Sequence, residues 1–497
     1  MNRSWSIWHR TAPALLIAVA IAAAAMMSAC DDDDDDNGNL EGGAETTPTA
    51  SAQTPSGGET PPKAAPQLTD STLKMEEISG LDQPTQIVFL GPDDLLVSQK
   101  TGSVVRVTSG EVQSDPVLEL AANYADERGV LGLTLHPQFA QNHFVYIYWT
   151  WRGKEGQEPD SLLGEATDDL EEVPQLGNRV DRFVWDGSKL TWDRNLIELP
   201  SRTTDLTLDR RRGNHDAGVI NFGPDGKLYV VIGDQNNRGQ LQNVTEGPAP
   251  DNPDELLAAV LRLNDDGSVP QDNPFVGVNE TVAPIWIYGV RNSFGYDFDP
   301  KSGELWLEVN GQAAHDIVSR YEKGNNIGWI QILGTPDRYD EYVQLESEAP
   351  RLLDNPSYPP SKLAPTAEEA INRLFMMPGA TYVPPQFTFK YAVAPAGLGF
   401  VDGTALGADH DGSLLMGDVN TGSIYEFHLT DDRMSLDLQG GLADGVNDNT
   451  PDDSVGEMAD SLFATGIFVA TEIEQGPDGT LWIASNADGK IFKITGP

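Results

Sequence analysis

Cysteine is almost absent from the chain, which has a single one, Cys30, among 497 residues. One thiol excludes a structural disulfide within a single copy of the chain. An unmodified lone thiol would be unusual in an oxidising compartment, and a lipid attached to Cys30 would account for it.

Basic residues are also scarce. The chain has 32 Lys and Arg against 77 Asp and Glu, and its formal net charge is -45 at pH 7. A protein this acidic does not bind nucleic acid through a phosphate-neutralising patch. The acidity favours solubility and attracts divalent cations, but it does not identify a substrate.

A long apolar run of membrane-spanning length is lacking. The apolar run at 12–27 is shorter than the ~20 residues of a spanning helix. Basic residues precede it and Ser28-Ala29-Cys30 follows it, a layout typical of a secretory signal. Small residues before the cysteine resemble a bacterial lipobox. We therefore expect residues 1–29 to be a lipoprotein signal peptide and Cys30 to be lipidated, which places the protein in the periplasm or at the cell surface with its lipid as the only membrane attachment. The alternative is a cleaved signal peptide with an incidental Cys30.

Residues 30–70 have too few apolar side chains to form a core. An Asp run at 31–36 is followed by a stretch rich in Gly, Thr, Pro, Ser and Ala. Such a composition is typical of a disordered, solvated tether. The sequence thus predicts a tether over 30–70 and one folded domain over 71–497.

A turn followed by an apolar strand recurs through the folded domain. The phrase occurs at 91–97, 223–230, 301–307, 410–416 and 476–483, with a variant at 135–148. Asp-Gly favours tight turns because glycine accepts positive φ, and alternating strands often follow. Six units predict an all-β fold, a six-bladed β-propeller of four-stranded antiparallel blades. One helix is expected near 367–375, and the alternative architecture is an irregular pair of β-sandwiches.

His215 stands a few residues before the strand that the Gly-Pro-Asp-Gly turn at 223–226 announces. Imidazole is a competent base near neutral pH without special tuning. The position, at the beginning of one unit of the repeat, favours a catalytic base. The alternative is a histidine on the surface or satisfied within the core.

Five further motifs follow one another along the domain, at 127–139, 178–183, 260–275, 288–292 and 308–329. The first reads Glu-Arg-Gly-Val-Leu-Gly and ends in His-Pro-Gln-Phe, and the fourth reads Tyr-Gly-Val-Arg-Asn. Each is moderately specific alone. Their order and number resemble the glucose/sorbosone dehydrogenase family, which includes the soluble quinoprotein glucose dehydrogenases and the aldose sugar dehydrogenases.

The resemblance implies a propeller that binds pyrroloquinoline quinone (PQQ) with a calcium ion against the quinone. It implies oxidation of an aldose at C1 to the lactone, with hydride passing to the quinone and His215 as general base. An external acceptor, a quinone or a cytochrome, would reoxidise the cofactor.

The same resemblance assigns roles to other residues. Arg291 matches the arginine that supports the charge of the reduced cofactor, and Asn292 matches the amide beside the quinone oxygens. Glu127 falls where some members have a glutamine that contacts the sugar or the base, so we count it with the catalytic residues. The backbone carbonyls of Asn310 and Gly311 are the expected calcium ligands.

Each assignment has an alternative. Arg291 would instead form a structural pair with Asp297 or Asp299. Asn292 would be a turn cap, and Glu127 a solvated loop carboxylate.

Two departures from the family pattern bear on function. Asn214, which we place in the cofactor site, replaces the acidic residue before the base, and Asp216 follows the base instead. The stretch 394–427 contains no Lys or Arg, and Asp402 stands where a cation is expected to hold PQQ carboxylates. Arg210, Arg211 and Arg212 are candidate substitutes.

The departures leave two further interpretations open. The first is a PQQ-free propeller that binds a carbohydrate or a protein partner at the cell surface. The second is a calcium-dependent lactonase, which would require several inward acidic side chains around one metal.

Overall fold

Strands dominate the part of the chain that the computed structural model describes. The described residues are 65–153, 162–170, 173–202, 214–235, 256–348, 363–450 and 456–497. The predicted signal peptide and Cys30 lie outside them, as do most of the predicted tether and the three arginines at 210–212. Within the described ranges, no helix combines the length and apolar character needed to cross a bilayer.

The strands form six hydrogen-bonded sheets, which we number in chain order. Sheet one contains β3 Pro84–Gly91, β4 Asp94–Gln99, β5 Ser103–Thr108, β6 Glu111–Val112 and β7 Leu118–Glu119. Sheet two contains β8 Val130–Leu135, β9 Phe144–Thr150, β10 Asn178–Trp185 and β11 Leu190–Leu199. Sheet three contains β12 Ile220–Phe222, β13 Leu228–Ile232, β14 Ala259–Leu263, β15 Ile285–Tyr288, β19 Asn325–Asn326 and β20 Thr381–Tyr382.

The remaining sheets follow the same plan. Sheet four contains β16 Tyr296–Phe298, β17 Leu305–Val309, β18 Ala314–Tyr321, β21 Phe387–Tyr391 and β25 Val446–Asn447. Sheet five contains β22 Pro395–Phe400, β23 Leu414–Asp418, β24 Ile424–Phe427, β26 Leu462–Thr465 and β1 Gln67–Leu68. Sheet six contains β27 Ala470–Gln475, β28 Leu481–Ser485, β29 Lys490–Thr495 and β2 Lys74–Ser79.

Helices are short and lie between strands. The α-helices are α1 Phe139–Asn142, α2 Tyr339–Glu348 and α3 Ala367–Asn372, and the 3-10 helices are Pro336–Arg338, Ala408–His410, Gly440–Asp444 and Gly456–Ser461. The helix expected near 367–375 is α3, whose N-cap Thr366 accepts a hydrogen bond from Glu369 N. Helices α1 and α2 were not predicted from the sequence.

The recurring turn has the expected geometry. At 223–226, Gly223 N donates to Lys227 O at 2.9 Å and Gly226 has φ +71°. At 476–479, Gly476 N donates to Thr480 O at 2.7 Å and Gly479 has φ +84°. A positive φ at the fourth position explains why glycine stands there in both turns.

Strand β13 shows how the sheets pack face to face. Leu228 and Val230 pack with Tyr148 in the layer shared with sheet two. Tyr229 and Val231 point the other way and join the core shared with sheet four. Because both faces of the strand are buried, it is apolar throughout rather than alternating with polar residues.

The six sheets close around an axis. The first strand of each sheet contacts the first strand of a neighbouring sheet in two series. One series runs β3, β8, β12, and the other runs β16, β22, β27 and back to β3. Tyr296 Oη donates to Tyr229 O at 2.8 Å and joins sheets four and three. The all-β propeller prediction is therefore confirmed. The prediction that every blade has four strands is wrong. Two sheets have four strands, three have five and one has six, because short edge strands such as β7, β20 and β25 extend the larger sheets.

Two neighbouring cavities lie along the axis. The larger of these two is lined by residues in, or directly next to, strands of all six sheets. The second cavity shares Val219, Phe294 and Thr471 with it. Strand β1 pairs with β26, so the folded part begins before the boundary predicted at residue 71.

Candidate functional site

The loop that enters β12 positions His215. His215 and Ala217 have φ of +59° and +52°, and Gly218 has φ +101°, so the chain turns sharply before the strand. Gly233, at the end of β13, lies under this loop: a Cβ there would be 2.3 Å from His215 O. The absence of a side chain at Gly233 therefore allows the loop to lie against the end of β13, next to Asp234.

Asp234 is the partner of the imidazole. His215 Nδ1 lies 2.5 Å from Asp234 Oδ1, and Trp329 Nε1 donates to Asp234 Oδ2 at 2.8 Å. Burial opposes ionisation of Asp234, but the charge and hydrogen bond of His215, aided by Arg291 and Trp329, outweigh it and hold the pKa of Asp234 below its usual range. A carboxylate at Nδ1 leaves Nε2 as the nitrogen free to act as a base.

Asp234 was not among the residues predicted from the sequence, where Asp216 was the acidic neighbour of His215. Asp216 Oδ1 instead accepts from Asn178 Nδ2 at 2.7 Å and from Gln235 Nε2 at 3.0 Å. Burial raises the pKa of Asp216, and the charge of Arg128 opposes that shift. Asp216 thus belongs to the seam between sheets two and three. The sequence signal for Asp234 was an acidic residue two positions after the end of the buried strand β13.

Glu127 joins the predicted site residues. Its Oε2 accepts from His215 N at 2.6 Å and from Asn292 Nδ2 at 3.1 Å. Its Oε1 lies 3.5 Å from Asn214 Nδ2. The alternatives of a solvated carboxylate for Glu127 and a turn cap for Asn292 do not describe these contacts, because Glu127 holds three residues of the candidate site together.

Arg291 and Asn292 follow β15. Arg291 O accepts from Asp234 N at 2.8 Å, and Arg291 Nη1 donates to Asn310 O at 3.2 Å. The guanidinium lies 5.6 Å from the Trp329 ring centroid, within cation–π range.

The two carboxylates considered as alternative partners of Arg291 have other partners. Asp299 binds Arg433 through two hydrogen bonds. Asp297 accepts from Phe298 N at 2.7 Å and from Phe400 N at 3.2 Å. Neither carboxylate is therefore the partner of Arg291.

Three buried polar atoms at the site lack a hydrogen-bond partner within the described part of the chain. They are Arg291 Nε, Asn292 Oδ1 and Asn214 Oδ1. Unsatisfied buried polar groups are costly, and they are expected where a ligand supplies the missing partner. One cationic donor and two amide acceptors fit a polar ligand with both carbonyl and N–H or O–H groups.

The predicted calcium ligands lie next to Arg291. Asn310 N donates to Asn292 O at 2.9 Å, and Asn310 Nδ2 donates to Glu308 Oε2 at 2.9 Å. Gly311 N donates to Asp316 Oδ1 at 2.6 Å. The structure thus brings both residues to the site, where the Asn310 carbonyl accepts a hydrogen bond from Arg291. No group of three or more His, Cys, Asp or Glu in the described ranges is placed to hold a metal ion.

The stretch 394–427 presents acidic rather than basic groups. Asp316 Oδ2 accepts from Val393 N and Ala394 N at 2.6 and 2.8 Å. Asp418 Oδ1 accepts from Asn420 N at 2.8 Å and from Thr421 N at 3.0 Å. Carboxylates therefore take up these backbone donors, and Asp402 is exposed. Ala396 and Val419, the residues of this stretch that line the larger axial cavity, form a wall that offers the carboxylates of PQQ no cation.

The larger axial cavity adjoins this site. Glu127 and Lys100 line it together with Thr85, Thr471 and several apolar side chains. Lys100 was also missed, because nothing in the sequence links the turn after β4 to His215.

A family model for glucose/sorbosone dehydrogenase matches residues 81–374, which is more than half of the chain. Aldose sugar dehydrogenase of Escherichia coli is 29% identical over 265 residues, 52% of this chain and 62% of that protein. Quinoprotein glucose dehydrogenase B of Acinetobacter calcoaceticus is 29% identical over 296 residues, 56% of each. The chain thus spans less than two thirds of the length of these relatives. The PQQ-bound aldose sugar dehydrogenase of Streptomyces coelicolor superposes with a TM-score of 0.54 at 20% identity, covering 88% of this chain and 99% of that one.

Proposed function

Since the chain belongs to the glucose/sorbosone dehydrogenase family, we propose that it oxidises an aldose at C1 to the lactone with PQQ as cofactor. The observation that carries the proposal is the buried His215–Asp234 pair. Glu127 accepts from His215 N and Arg291 O accepts from Asp234 N, and Glu127 also accepts from Asn292. The names of the relatives, an aldose sugar dehydrogenase and a quinoprotein glucose dehydrogenase, support the same activity.

His215 is the proton acceptor. Because Nδ1 faces Asp234 at 2.5 Å, Nε2 takes the proton of the anomeric hydroxyl. The negative charge of Asp234 stabilises the imidazolium that results, and Trp329 keeps the carboxylate oriented. Glu127 fixes the backbone of His215 and thereby the direction of the ring.

The unpartnered atoms at the site fit the quinone. PQQ, when bound, supplies the two-electron acceptor for the hydrogen at C1. Arg291 would place a permanent cation beside it, and Asn292 and Asn214 would complete its hydrogen bonds. A calcium ion would be held through the backbone carbonyls of Asn310 and Gly311.

A second candidate function rests on the wall at 394–427. A single charge-assisted hydrogen bond contributes about 1.5–3 kcal/mol, and this wall provides none to the carboxylates of PQQ. That observation favours a family-shaped propeller without PQQ that binds a carbohydrate or a protein partner.

Calorimetry with PQQ and a dye-linked aldose assay separate the two candidates. PQQ binding to the calcium-loaded domain at micromolar concentration, with aldose oxidation, is the expected result. His215→Asn tolerates the positive φ of +59° and is expected to lower turnover on the order of 10²–10⁴-fold while PQQ still binds. Arg291→Ala is expected to weaken both PQQ retention and rate. Absence of PQQ binding to the wild type would overturn the dehydrogenase and leave the binding propeller.

We further propose that each of the six sheets is one blade of a six-bladed propeller, supported by the contacts between first strands and by the hydrogen bond from Tyr296 to Tyr229 O between sheets four and three. A lipid on Cys30 would anchor the domain to a membrane in the periplasm or at the cell surface, with an external quinone or cytochrome as electron acceptor. The position of Cys30 after Ser28-Ala29 supports the anchor.

A further inference from the structure

Lys100 brings a buried ammonium to the wall of the larger axial cavity. The side chain is 7% exposed. Nζ donates to Tyr124 O at 2.6 Å, which uses one of its three N–H groups. The other two have no hydrogen-bond partner among the described residues. Buried donors of this kind require an acceptor, and the cavity is where a ligand can provide one.

Glu127 has a complementary capacity on the same cavity. Its Oε2 accepts two hydrogen bonds, from His215 N and Asn292 Nδ2. Its Oε1 has only the long contact of 3.5 Å with Asn214. A carboxylate oxygen accepts two hydrogen bonds readily, so Oε1 has room for a hydroxyl donor.

The charges around Lys100 select a neutral ligand. Four carboxylates attract its ammonium, namely Asp126, Glu127, Asp168 and Asp216. Arg128, a buried cation, follows Asp126 and Glu127 in the loop before β8. These carboxylates disfavour a ligand that brings a further carboxylate beside Glu127. A neutral polyol supplies an oxygen for Lys100 and a hydroxyl for Glu127 without adding charge.

We propose that Lys100 is a specificity-determining residue of the aldose site, donating to one sugar hydroxyl while Glu127 accepts from another. The proposal rests on the proposed function and names neutral aldoses, rather than uronic acids, as the substrate class. The positive charge of the protonated amine strengthens the contact with the sugar. Burial lowers the pKa of Lys100 from 10.5 to about 8, against the attraction of the surrounding carboxylates, so this contact weakens as the pH rises through 8.

Two substitutions test the contact. Lys100→Met keeps the length of the side chain and removes the charge, and it is expected to raise KM roughly 10- to 100-fold with little change in kcat, as the loss of a charge-assisted hydrogen bond made to substrate and transition state alike. Lys100→Arg keeps a cation at every pH. The wild-type KM is expected to rise from pH 7 to pH 9, whereas that of the arginine variant stays level. Lys74→Met, at an exposed position of β2, is the matched control, and thermal unfolding verifies that each variant folds.

Calorimetric titration of the calcium- and PQQ-treated protein with the aldose under anaerobic conditions separates this proposal from the proposed function. Aldose binding without oxidation, weakened by Lys100→Met, would overturn the dehydrogenase and support the sugar contact. Oxidation with the same KM in wild type and Lys100→Met would overturn the contact alone. A uronic acid that binds the wild type as tightly as its parent aldose, or no sugar binding at all, would also overturn it.

Discussion

Replacing Glu472 by glutamine tests the charge balance of the axial channel without reference to any activity. Glu472, Glu474 and Asp297 line the second cavity, together with Gln86 and Asn221. Burial, and then repulsion by Asp297, raises the pKa of Glu472 from 4.5 to about 8, although a hydrogen bond from Gln86 opposes the shift. Burial also raises the pKa of Asp297 to about 7.

The raised pKa determines how stability depends on pH. The folded protein holds the carboxyl proton of Glu472 more tightly than the unfolded chain does. The stability that this proton contributes is fully present below the unfolded pKa of 4.5, and it is lost as the pH rises through the folded pKa of about 8. One unit of pKa corresponds to 1.36 kcal/mol, so ionised Glu472 costs at most about 5 kcal/mol. Glutamine cannot ionise and removes that cost.

Chemical unfolding of wild type and Glu472→Gln at pH 5 and pH 9 measures the effect. The variant is expected to be more stable than the wild type at pH 9, by up to about 5 kcal/mol, with a much smaller difference at pH 5. Glu280→Gln, at an exposed position, controls for the loss of one negative charge from an acidic protein. An equal difference at both pH values would refute the protonated channel carboxyl.

Three further substitutions address the site and the membrane anchor. Asp234→Asn is expected to lower turnover on the order of 10²–10⁴-fold, because an amide N–H facing Nδ1 would fix the His215 proton on Nε2; unchanged steady-state kinetics with PQQ would contradict the role of Asp234. Gly233→Ala places a methyl group 2.3 Å from His215 O and 2.9 Å from Asn292 Oδ1 and is expected to destabilise the fold by about 1–3 kcal/mol, measured by thermal unfolding, and to weaken PQQ binding. Cys30→Ser is expected to move the protein from the membrane to the soluble fraction, and wild-type protein without an acyl mass would contradict the anchor.

The repeat could be predicted from the sequence because it depends on local chemistry. Asp-Gly turns and apolar strands of fixed length are visible in single segments, and they led to the propeller. The extra edge strands could not be predicted in this way. Strand β25, for example, is two residues long and pairs with β21 in parallel, so its existence depends on where a distant loop passes.

The residues of the candidate site also fall into two groups, those that the sequence indicated and those that only the fold revealed. Arg291, Asn292 and Glu127 lie within family motifs, and His215 stands just before a turn of the repeat, so the sequence indicated all four. Asp234 reaches His215, and Lys100 reaches the cavity beside Glu127, only after sheets one, two and three have assembled. The sequence shows each of them as one acid or one lysine among many, and only the fold brings them to the site.

The pairing of β2 with β29 has a consequence for how the molecule is made. Lys490 Nζ donates to Glu77 Oε2 across 413 positions of the sequence, and six residues of each strand are in register. Loop-closure entropy must be overcome before such a distant contact contributes stability. A nascent chain therefore holds β2 without its partner until the last strand emerges, and it remains open to strand exchange and to proteolysis during that interval. The pairing of β2 with β29, which protects both strands from exchange and proteolysis, can be completed only when synthesis has passed residue 495.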